Sequence, residues 1–293
     1  MEITIQQAIT AHQEGRLEEA ERLYRIILEL QPEHLDALNN LGILLFNSNR
    51  AEEAEKCYTK ALELKPDFAQ AHNNLGQTLE KLEKLDVAEK CYKKALQLNP
   101  DFIVAHSNLA KIFHNLKKFD EVEMSYKKII ELKPDYAEAH NNLSALFLDL
   151  DRLGEAELYC KKAIELNPDF AEAHSNLGLF FFKSNNYNDA KDSFEKAIEI
   201  DPKNAKAYNS LGAVFQRLKE YQKAKVSYEK AIEIDPNYLN AYSNLSKIHL
   251  NILENLNEAI RLSHLALKKY HEKTSFINQS ISLFKLKHDV QQA

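Results

Sequence analysis

The segment from Ala69 to Phe102 reads AQAHNNLGQTLEKLEKLDVAEKCYKKALQLNPDF, and that from Ala137 to Phe170 reads AEAHNNLSALFLDLDRLGEAELYCKKAIELNPDF. Each segment is 34 residues long, and the second begins two such lengths after the first. Both open on an alanine-rich, amide-rich stretch and close on Asn-Pro-Asp-Phe. Self-similarity at a fixed spacing of roughly 20 to 50 residues indicates an array of structural repeats.

The prolines carry the same period through most of the chain. All seven are spaced by 34 residues, at Pro32, Pro66, Pro100, Pro134, Pro168, Pro202 and Pro236. With proline at repeat position 32, the sequence predicts one repeat domain over residues 1–272. Its eight repeats are 1–34, 35–68, 69–102, 103–136, 137–170, 171–204, 205–238 and 239–272. We expect 273–293 to form a C-terminal capping helix or a joint to a further domain. The eighth repeat lacks the proline and carries one extra residue before Ala259.

Each repeat has the residue pattern of two packed helices. Position 7 is leucine in repeats 2 to 8, position 8 is small, position 20 is alanine or valine, and position 24 is aromatic except at Cys160. Small residues allow two helices to approach to about 8–10 Å. Positions 7 and 11, and positions 20, 24 and 27, lie on single helix faces because they are three or four residues apart. The sequence therefore predicts a helix-turn-helix in every repeat.

The expected turns follow from the remaining residues. Pairs such as Ser48 and Asn49 favour a short turn between the two helices. Proline at position 32 ends the second helix. The aspartates that follow four of the prolines are predicted to cap the next first helix: Asp67, Asp101, Asp135 and Asp169.

Composition narrows the class of protein. The chain has 293 residues, 44% hydrophobic and 28% charged, with only 6 glycines and 7 prolines, which favours a folded helical protein. Its formal net charge of −6 disfavours nucleic-acid binding. No apolar run long enough for a membrane span and no signal peptide are visible, so we expect a cytoplasmic protein without membrane contact. We find no phosphate loop, nucleophile elbow or zinc-protease motif, and we predict no enzyme activity, cofactor or metal.

The repeat pattern resembles the tetratricopeptide repeat over essentially the whole chain. The resemblance rests on Leu-Gly at positions 7 and 8, alanine at 20 and 27, tyrosine at 24 and proline at 32. Position 4 departs from the family pattern, because it holds histidine in repeats 3 to 6. The resemblance implies an all-α, right-handed superhelical solenoid of about eight helix-turn-helix repeats. It also implies that the first helices line a concave surface.

Asparagine recurs at positions 5 and 6 of the first helices, although it is a poor interior helix residue. At position 6 the asparagines are Asn40, Asn74, Asn108, Asn142, Asn176 and Asn244, and Ser210 interrupts the row. At position 5 they are Asn39, Asn73, Asn141 and Asn209. A carboxamide donates and accepts, so these residues are predicted to hold the main chain of an extended polypeptide. The row resembles the asparagine ladder of the O-linked N-acetylglucosamine transferases. The alternative is a purely structural role.

Other candidate sites have weaker support. The position-4 histidines, on successive repeats about 10 Å apart, are too distant to share one metal ion, so we interpret them as packing residues. Cys57, Cys91 and Cys160 are interpreted as small apolar residues. Positions 5 and 6 carry no basic residue, so binding of a chaperone tail through its carboxylate is not expected.

Two functions remain open from the sequence. The first is a scaffold that binds a protein or extended peptide in its groove, with terminal repeats that allow self-association. The second is a substrate-recruiting arm of a larger transferase, of the glycosyltransferase, sulfotransferase or methyltransferase type, whose catalytic domain lies outside this chain.

Overall fold

A computed structural model of the protein describes residues 4–251 and 255–269, and this part of the chain forms sixteen α-helices. The first helices of the repeats are α1 (Ile5–Gln13), α3 (Leu35–Asn47), α5 (Ala69–Lys81), α7 (Ile103–Asn115), α9 (Ala137–Asp149), α11 (Ala171–Lys183), α13 (Ala205–Arg217) and α15 (Leu239–Asn251). The second helices are α2 (Leu17–Leu30), α4 (Ala51–Leu64), α6 (Leu85–Leu98), α8 (Phe119–Leu132), α10 (Leu153–Leu166), α12 (Tyr187–Ile200), α14 (Tyr221–Ile234) and α16 (Leu256–Lys269). The predicted all-α fold of helix pairs is confirmed.

The chain divides into two compact units, Met1–Pro134 and Asp135–Ala293. The first unit contains α1 to α8, and the second contains α9 to α16. Within each unit, every first helix packs on its own second helix, and every second helix packs on the next first helix. The handedness of the predicted superhelix and the single domain over 1–272 stay predictions. The predicted capping helix at 273–293 lies outside the described residues.

The contact between the two helices of a repeat is an aromatic ring set against a glycine. An added Cβ at Gly42 would lie 2.7 Å from Cε1 of Tyr58, and one at Gly76 would lie 2.6 Å from Cε1 of Tyr92. The same arrangement joins Gly178 to Phe194 and Gly212 to Tyr228. Real Cβ atoms do not approach that closely, so in these four repeats the ring occupies the space that a side chain at position 8 would need. Repeats 1 and 4 instead combine the buried rings of Tyr24 and Tyr126 with Ala8 and Ala110.

Repeat 5 makes the same contact with different residues. Ser144 and Cys160 replace glycine and the aromatic ring, and both are fully buried. The Ser144 hydroxyl donates to the Asn141 carbonyl at 2.7 Å, which satisfies its hydrogen-bonding capacity inside the core. Repeat 8 uses a related solution, in which the hydroxyls of Ser246 and Ser263 lie 3.1 Å apart.

The turn after the first helix contains a left-handed residue at position 15 in repeats 1 to 7. This residue is Gly15 in repeat 1, and in repeats 2 to 7 it is Asn49, Glu83, Lys117, Asp151, Asn185 and Lys219, with φ between 57° and 63°. In repeat 3, Lys84 N donates to Leu79 O at 2.8 Å and Glu83 N donates to Glu80 O at 3.0 Å. This pair of bonds is the Schellman motif, which satisfies the last carbonyls of the first helix.

The prediction that aspartates after proline cap the next helix is wrong. Asp67 lies one residue too early, because α5 begins after Phe68, whose side chain makes no capping hydrogen bond. Instead, Phe68 N donates to Lys65 O at 3.3 Å, so Pro66 and Asp67 are the two central residues of a β-turn. Asp101, Asp135 and Asp169 hold the same place before α7, α9 and α11, whose N-caps also lack a side-chain bond.

Ion pairs also join successive repeats on the outer surface. Position 16 of one repeat contacts position 21 of the repeat before it: Arg50 with Glu21 at 2.8 Å, Lys84 with Glu55 at 2.8 Å and Lys118 with Glu89 at 3.3 Å. All three pairs are partly exposed to solvent, so solvent screening limits their contribution to stability.

Candidate functional site

One side of every first helix carries the polar residues of interest. Positions 2, 6, 9 and 13 share that side because they are separated by four, three and four residues. We call this side the first-helix face. In α3 it consists of Asp36, Asn40, Ile43 and Asn47, all exposed or half-buried. In α13 it consists of Lys206, Ser210, Ala213 and Arg217, which are likewise accessible.

The predicted asparagines form hydrogen bonds from one repeat to the next. In four steps, the position-6 Nδ2 donates to the position-5 Oδ1 of the preceding repeat. The bonds run from Asn74 to Asn39 at 3.3 Å, Asn108 to Asn73 at 3.1 Å, Asn176 to Asn141 at 2.8 Å and Asn244 to Asn209 at 3.0 Å. Each bond joins residues 35 apart in the sequence, so these carboxamides link the repeats together.

In the first unit these bonds connect into a chain. Asn108 donates to Asn73, Asn73 donates to Asn74 at 3.4 Å, and Asn74 donates to Asn39. Asn39 in turn donates to Asn40 at 3.5 Å. Among the described residues, Asn40 Nδ2 has no acceptor. The chain therefore ends in an unused donor on a half-buried residue of the first-helix face.

Burial separates the predicted site residues into two groups. Six are buried, with 2% to 8% of their surface exposed: Asn39, Asn73, Asn74, Asn108, Asn141 and Asn176. Asn40, Asn209 and Asn244 are half-buried, and Asn142 is exposed. The carboxamides of the buried group bond mainly to neighbouring repeats. These bonds correspond to the structural role that the sequence left open as the alternative. The accessible group retains capacity for a ligand.

The link is absent between repeats 6 and 7. Ser175 at position 5 and Ser210 at position 6 replace the two asparagines. The Ser175 hydroxyl is buried and has no hydrogen-bond partner within the described part of the chain. A buried hydroxyl without a hydrogen-bond partner reduces the stability of the fold. The step between repeats 6 and 7 therefore lacks a polar group that would bond to Ser175.

The position-4 side chains bind the turn that precedes their own helix. His72 Nε2 lies 2.9 Å from Pro66 O, His106 Nε2 lies 2.8 Å from Pro100 O, and His174 Nε2 lies 2.9 Å from Pro168 O. The hydroxyl of Tyr242 donates to Pro236 O at 3.2 Å. These contacts agree with a packing role. No cluster of three metal-ligating side chains occurs among the residues described.

The cysteines have the properties of core residues. Burial raises the pKa of the Cys91 thiol to about 11. Burial also raises the pKa of Cys160 to about 11, although a hydrogen bond with Ser144 acts in the opposite direction. Both thiols are therefore neutral at pH 7, and a neutral thiol is a poor nucleophile.

The charge on the first-helix face differs between α9 and α11 on one side and α13 and α15 on the other, and this difference was not predicted from the sequence. In the second unit, this face carries Glu138 and Asp149 in α9 and Glu172 and Lys183 in α11, and Lys183 is paired with Asp151 at 2.8 Å. In α13 and α15 the charged residues on this face are Lys206, Arg217 and Lys247. Projecting positions 2, 9 and 13 onto a helical wheel would have placed these charges on one side.

Two further features bear on ligand binding and on contact with a membrane. A cavity of about 480 Å³ lies between α1 and α2 and is lined by Thr10, Arg16 and Glu19, among others. Arg16 there is engaged by Glu14 and Glu19. Between residues 4 and 269, none of the described helices combines the length and apolar character needed to cross a bilayer.

These observations define a helix-pair repeat protein whose repeats are linked through side-chain amides. Models of the Tetratricopeptide repeat match residues 35–68, 69–102, 171–204 and 205–238, and also 104–136 and 137–170. The matches cover well over half of the chain, so the chain belongs to the tetratricopeptide repeat family.

Solved structures share this fold at low sequence identity. A tetratricopeptide repeat protein from Parabacteroides merdae matches with a TM-score of 0.73 and 18% identity, over 85% of this chain and 98% of that one. The APC/C hetero-tetramer Cut9-Hcn1 matches with a TM-score of 0.69 and 18% identity, over 94% of this chain. The chain spans 54% of the length of that relative.

YrrB, described as a TPR protein with an unusual peptide-binding site, matches with a TM-score of 0.50 and 24% identity, over 64% of this chain and 96% of its own. At such identities the likeness shows the fold alone. No protein of curated function matches the chain. The resemblance to transferase repeats stays a prediction.

Proposed function

We propose that this chain is a protein-binding scaffold whose first-helix face holds an extended polypeptide. The observation that carries the proposal is the chain of carboxamides from Asn108 to Asn40, which ends in an unused donor on that face. Repeat proteins of this kind offer extended surfaces rather than closed pockets. A polypeptide main chain supplies the carbonyl acceptors that free amide donors require.

The buried asparagines would support this site without touching the ligand. Their bonds between repeats fix the spacing of the first helices, so that Asn40, Asn142 and Asn244 are presented from rigid elements. A preorganised surface loses less conformational entropy on binding than a mobile one. The chain itself would act by holding a partner, without catalysis, cofactor or metal.

The test is direct binding of defined peptides. An array of immobilised 15-residue peptides of random sequence is probed with the labelled chain, and bound peptides are remeasured in solution by fluorescence anisotropy. The single variant Asn40→Ala should weaken the affinity of peptides that contact this residue about fivefold, since a lost hydrogen bond costs roughly 1 kcal/mol. Peptides in which alternate main-chain amides are replaced by esters should also bind more weakly, because an ester carbonyl is a weaker hydrogen-bond acceptor than an amide carbonyl.

The matched control is Asn188→Ala, which removes one exposed asparagine from the second helix α12. This control should bind as the parent chain does. The proposal would be contradicted if no peptide bound the chain. It would also be contradicted if the variant on the first-helix face and the control variant bound peptides with equal affinity.

A further inference from the structure

We infer that the first-helix face of α13 and α15 selects an acidic segment of an extended polypeptide. This inference rests on the proposed function and specifies which partner that face takes. Three exposed cations carry it: Lys206 and Arg217 in α13, and Lys247 in α15. None of the three forms an ion pair with another residue in the described part of the chain.

The spacing of the cations suits an extended chain. Lys206 and Arg217 are eleven residues apart on one side of α13, which corresponds to about 16 Å along the helix. Ser210 and Ala213 lie between them, and their short side chains leave room for a peptide on the helix surface between the two cations. Successive side chains of an extended peptide point in opposite directions. A peptide over Ser210 can therefore direct neighbouring carboxylates towards both cations.

The missing amide link lies at the same place. Ser175 and Ser210 leave out two carboxamides that other steps contain, and the Ser175 hydroxyl has no partner within the described residues. The step without the link therefore involves α13, the same helix that carries Lys206 and Arg217. Position and charge therefore indicate the same site from independent observations.

The opposite end of the unit disfavours the same ligand. Lys183 of α11 is already paired with Asp151 at 2.8 Å, whereas Glu138 and Glu172 are exposed on the first-helix face of α9 and α11. Their charges repel an acidic segment and so restrict it to α13 and α15. The attraction at exposed cations decreases with salt, because the Debye length falls from about 30 Å at 0.01 M to about 8 Å at 0.15 M.

The experiment uses the full chain and three fluorescent 12-residue peptides with acetylated and amidated ends. They consist of four Glu-Glu-Ser, four Gln-Gln-Ser or four Lys-Lys-Ser triplets. At low ionic strength, we expect the acidic peptide to bind about tenfold or more tightly than the neutral one. The triple variant Lys206→Gln, Arg217→Gln and Lys247→Gln should abolish that preference. Circular dichroism would verify that it keeps its helical content.

The control removes three cations from second helices, as Lys60→Gln, Lys90→Gln and Lys94→Gln, and produces the same change in net charge. It should keep the preference for the acidic peptide. Equal binding of acidic and neutral peptides, or equal losses in both triple variants, overturns the acidic selection and leaves the proposed function standing. Failure of all three peptides to bind contradicts the proposed function as well.

Discussion

Repeats 2 and 5 bring their helices together with different residues. In repeat 2 the ring of Tyr58 rests on Gly42, whereas in repeat 5 Cys160 rests near Ser144. Both second helices nevertheless begin and end at equivalent positions, Ala51–Leu64 and Leu153–Leu166. The difference shows that positions 8 and 24 act as one unit, in which a larger residue on one helix requires a smaller one on the other.

The largest difference between the two repeats should come from truncating position 24. Tyr58→Ala removes a fully buried ring, and we expect a loss of about 3–5 kcal/mol in unfolding free energy. Cys160→Ala removes one sulfur atom and should cost about 1 kcal/mol. Urea denaturation followed by circular dichroism measures both. Similar losses in the two variants would show that position 24 does not carry the contact in repeat 2.

The second prediction converts repeat 5 into the arrangement of repeat 2. Cys160→Tyr introduces a ring where Ser144 already fills the space, and overpacking of this kind should cost about 1–3 kcal/mol. The double variant with Ser144→Gly should recover most of that loss. The double-mutant cycle reports the coupling between the two positions. An additive result would mean that they are independent.

The third prediction concerns a feature that both repeats share. The left-handed residue at position 15 strains any side chain that carries a Cβ, so Glu83→Gly should raise the unfolding free energy by about 0.5–1 kcal/mol. Glu83→Ala serves as the control, because alanine meets the same steric restriction and should give no gain. Equal effects of glycine and alanine would indicate that the left-handed conformation is not the cause.

The smallest effect should come from the ion pairs between repeats. Repeat 2 pairs Glu55 with Lys84 of the next repeat, whereas in repeat 5 Glu157 pairs with Lys161 of its own helix. The related Glu89 has its pKa lowered by hydrogen bonds from Lys93 and Lys118, against an opposing effect of burial. Glu89→Gln should therefore cost less than about 1 kcal/mol at pH 7.

The pH dependence of that loss has a defined sign. A carboxyl group with a lowered folded-state pKa contributes stability above its unfolded pKa and loses it as pH falls through the folded value. The difference between Glu89→Gln and the parent should narrow below about pH 4.5 and vanish once the pH is well below the lowered folded-state pKa of Glu89. Stability curves at several pH values measure it. A constant difference across this range would exclude the charge of Glu89 as its origin.

Much of the fold follows from the sequence because its signals are local. The spacing of proline, the small residues at positions 8 and 20, and the aromatic at 24 predict the helix pairs. The extra residue in repeat 8 also has its expected consequence, since Asn255 N donates to His249 O and α16 starts one residue later than the period requires. The aspartate caps were predicted wrongly because Pro66 and Asp67 form a turn of their own before α5.

The candidate site was only partly predictable, because it depends on contacts between repeats. The sequence places Asn39 and Asn74 on one side of neighbouring first helices. Only the packed structure shows that Asn74 donates to Asn39 of the preceding repeat and that both carboxamides are largely buried. The unpartnered Ser175 hydroxyl likewise becomes visible only once the helices are packed, whereas a helical wheel already places the cations of α13 on one side.

The amide link between repeats also bears on how such an array can lengthen. Its two halves, at positions 5 and 6, lie on the same helix of every repeat that carries both. A tandem duplication of such a repeat copies the donor together with the acceptor. The new member can therefore bond to its neighbours on both sides without any further substitution. Repeat 3, with Asn73 and Asn74, has this property, whereas a copy of repeat 4, with Ser107, would interrupt the row of links.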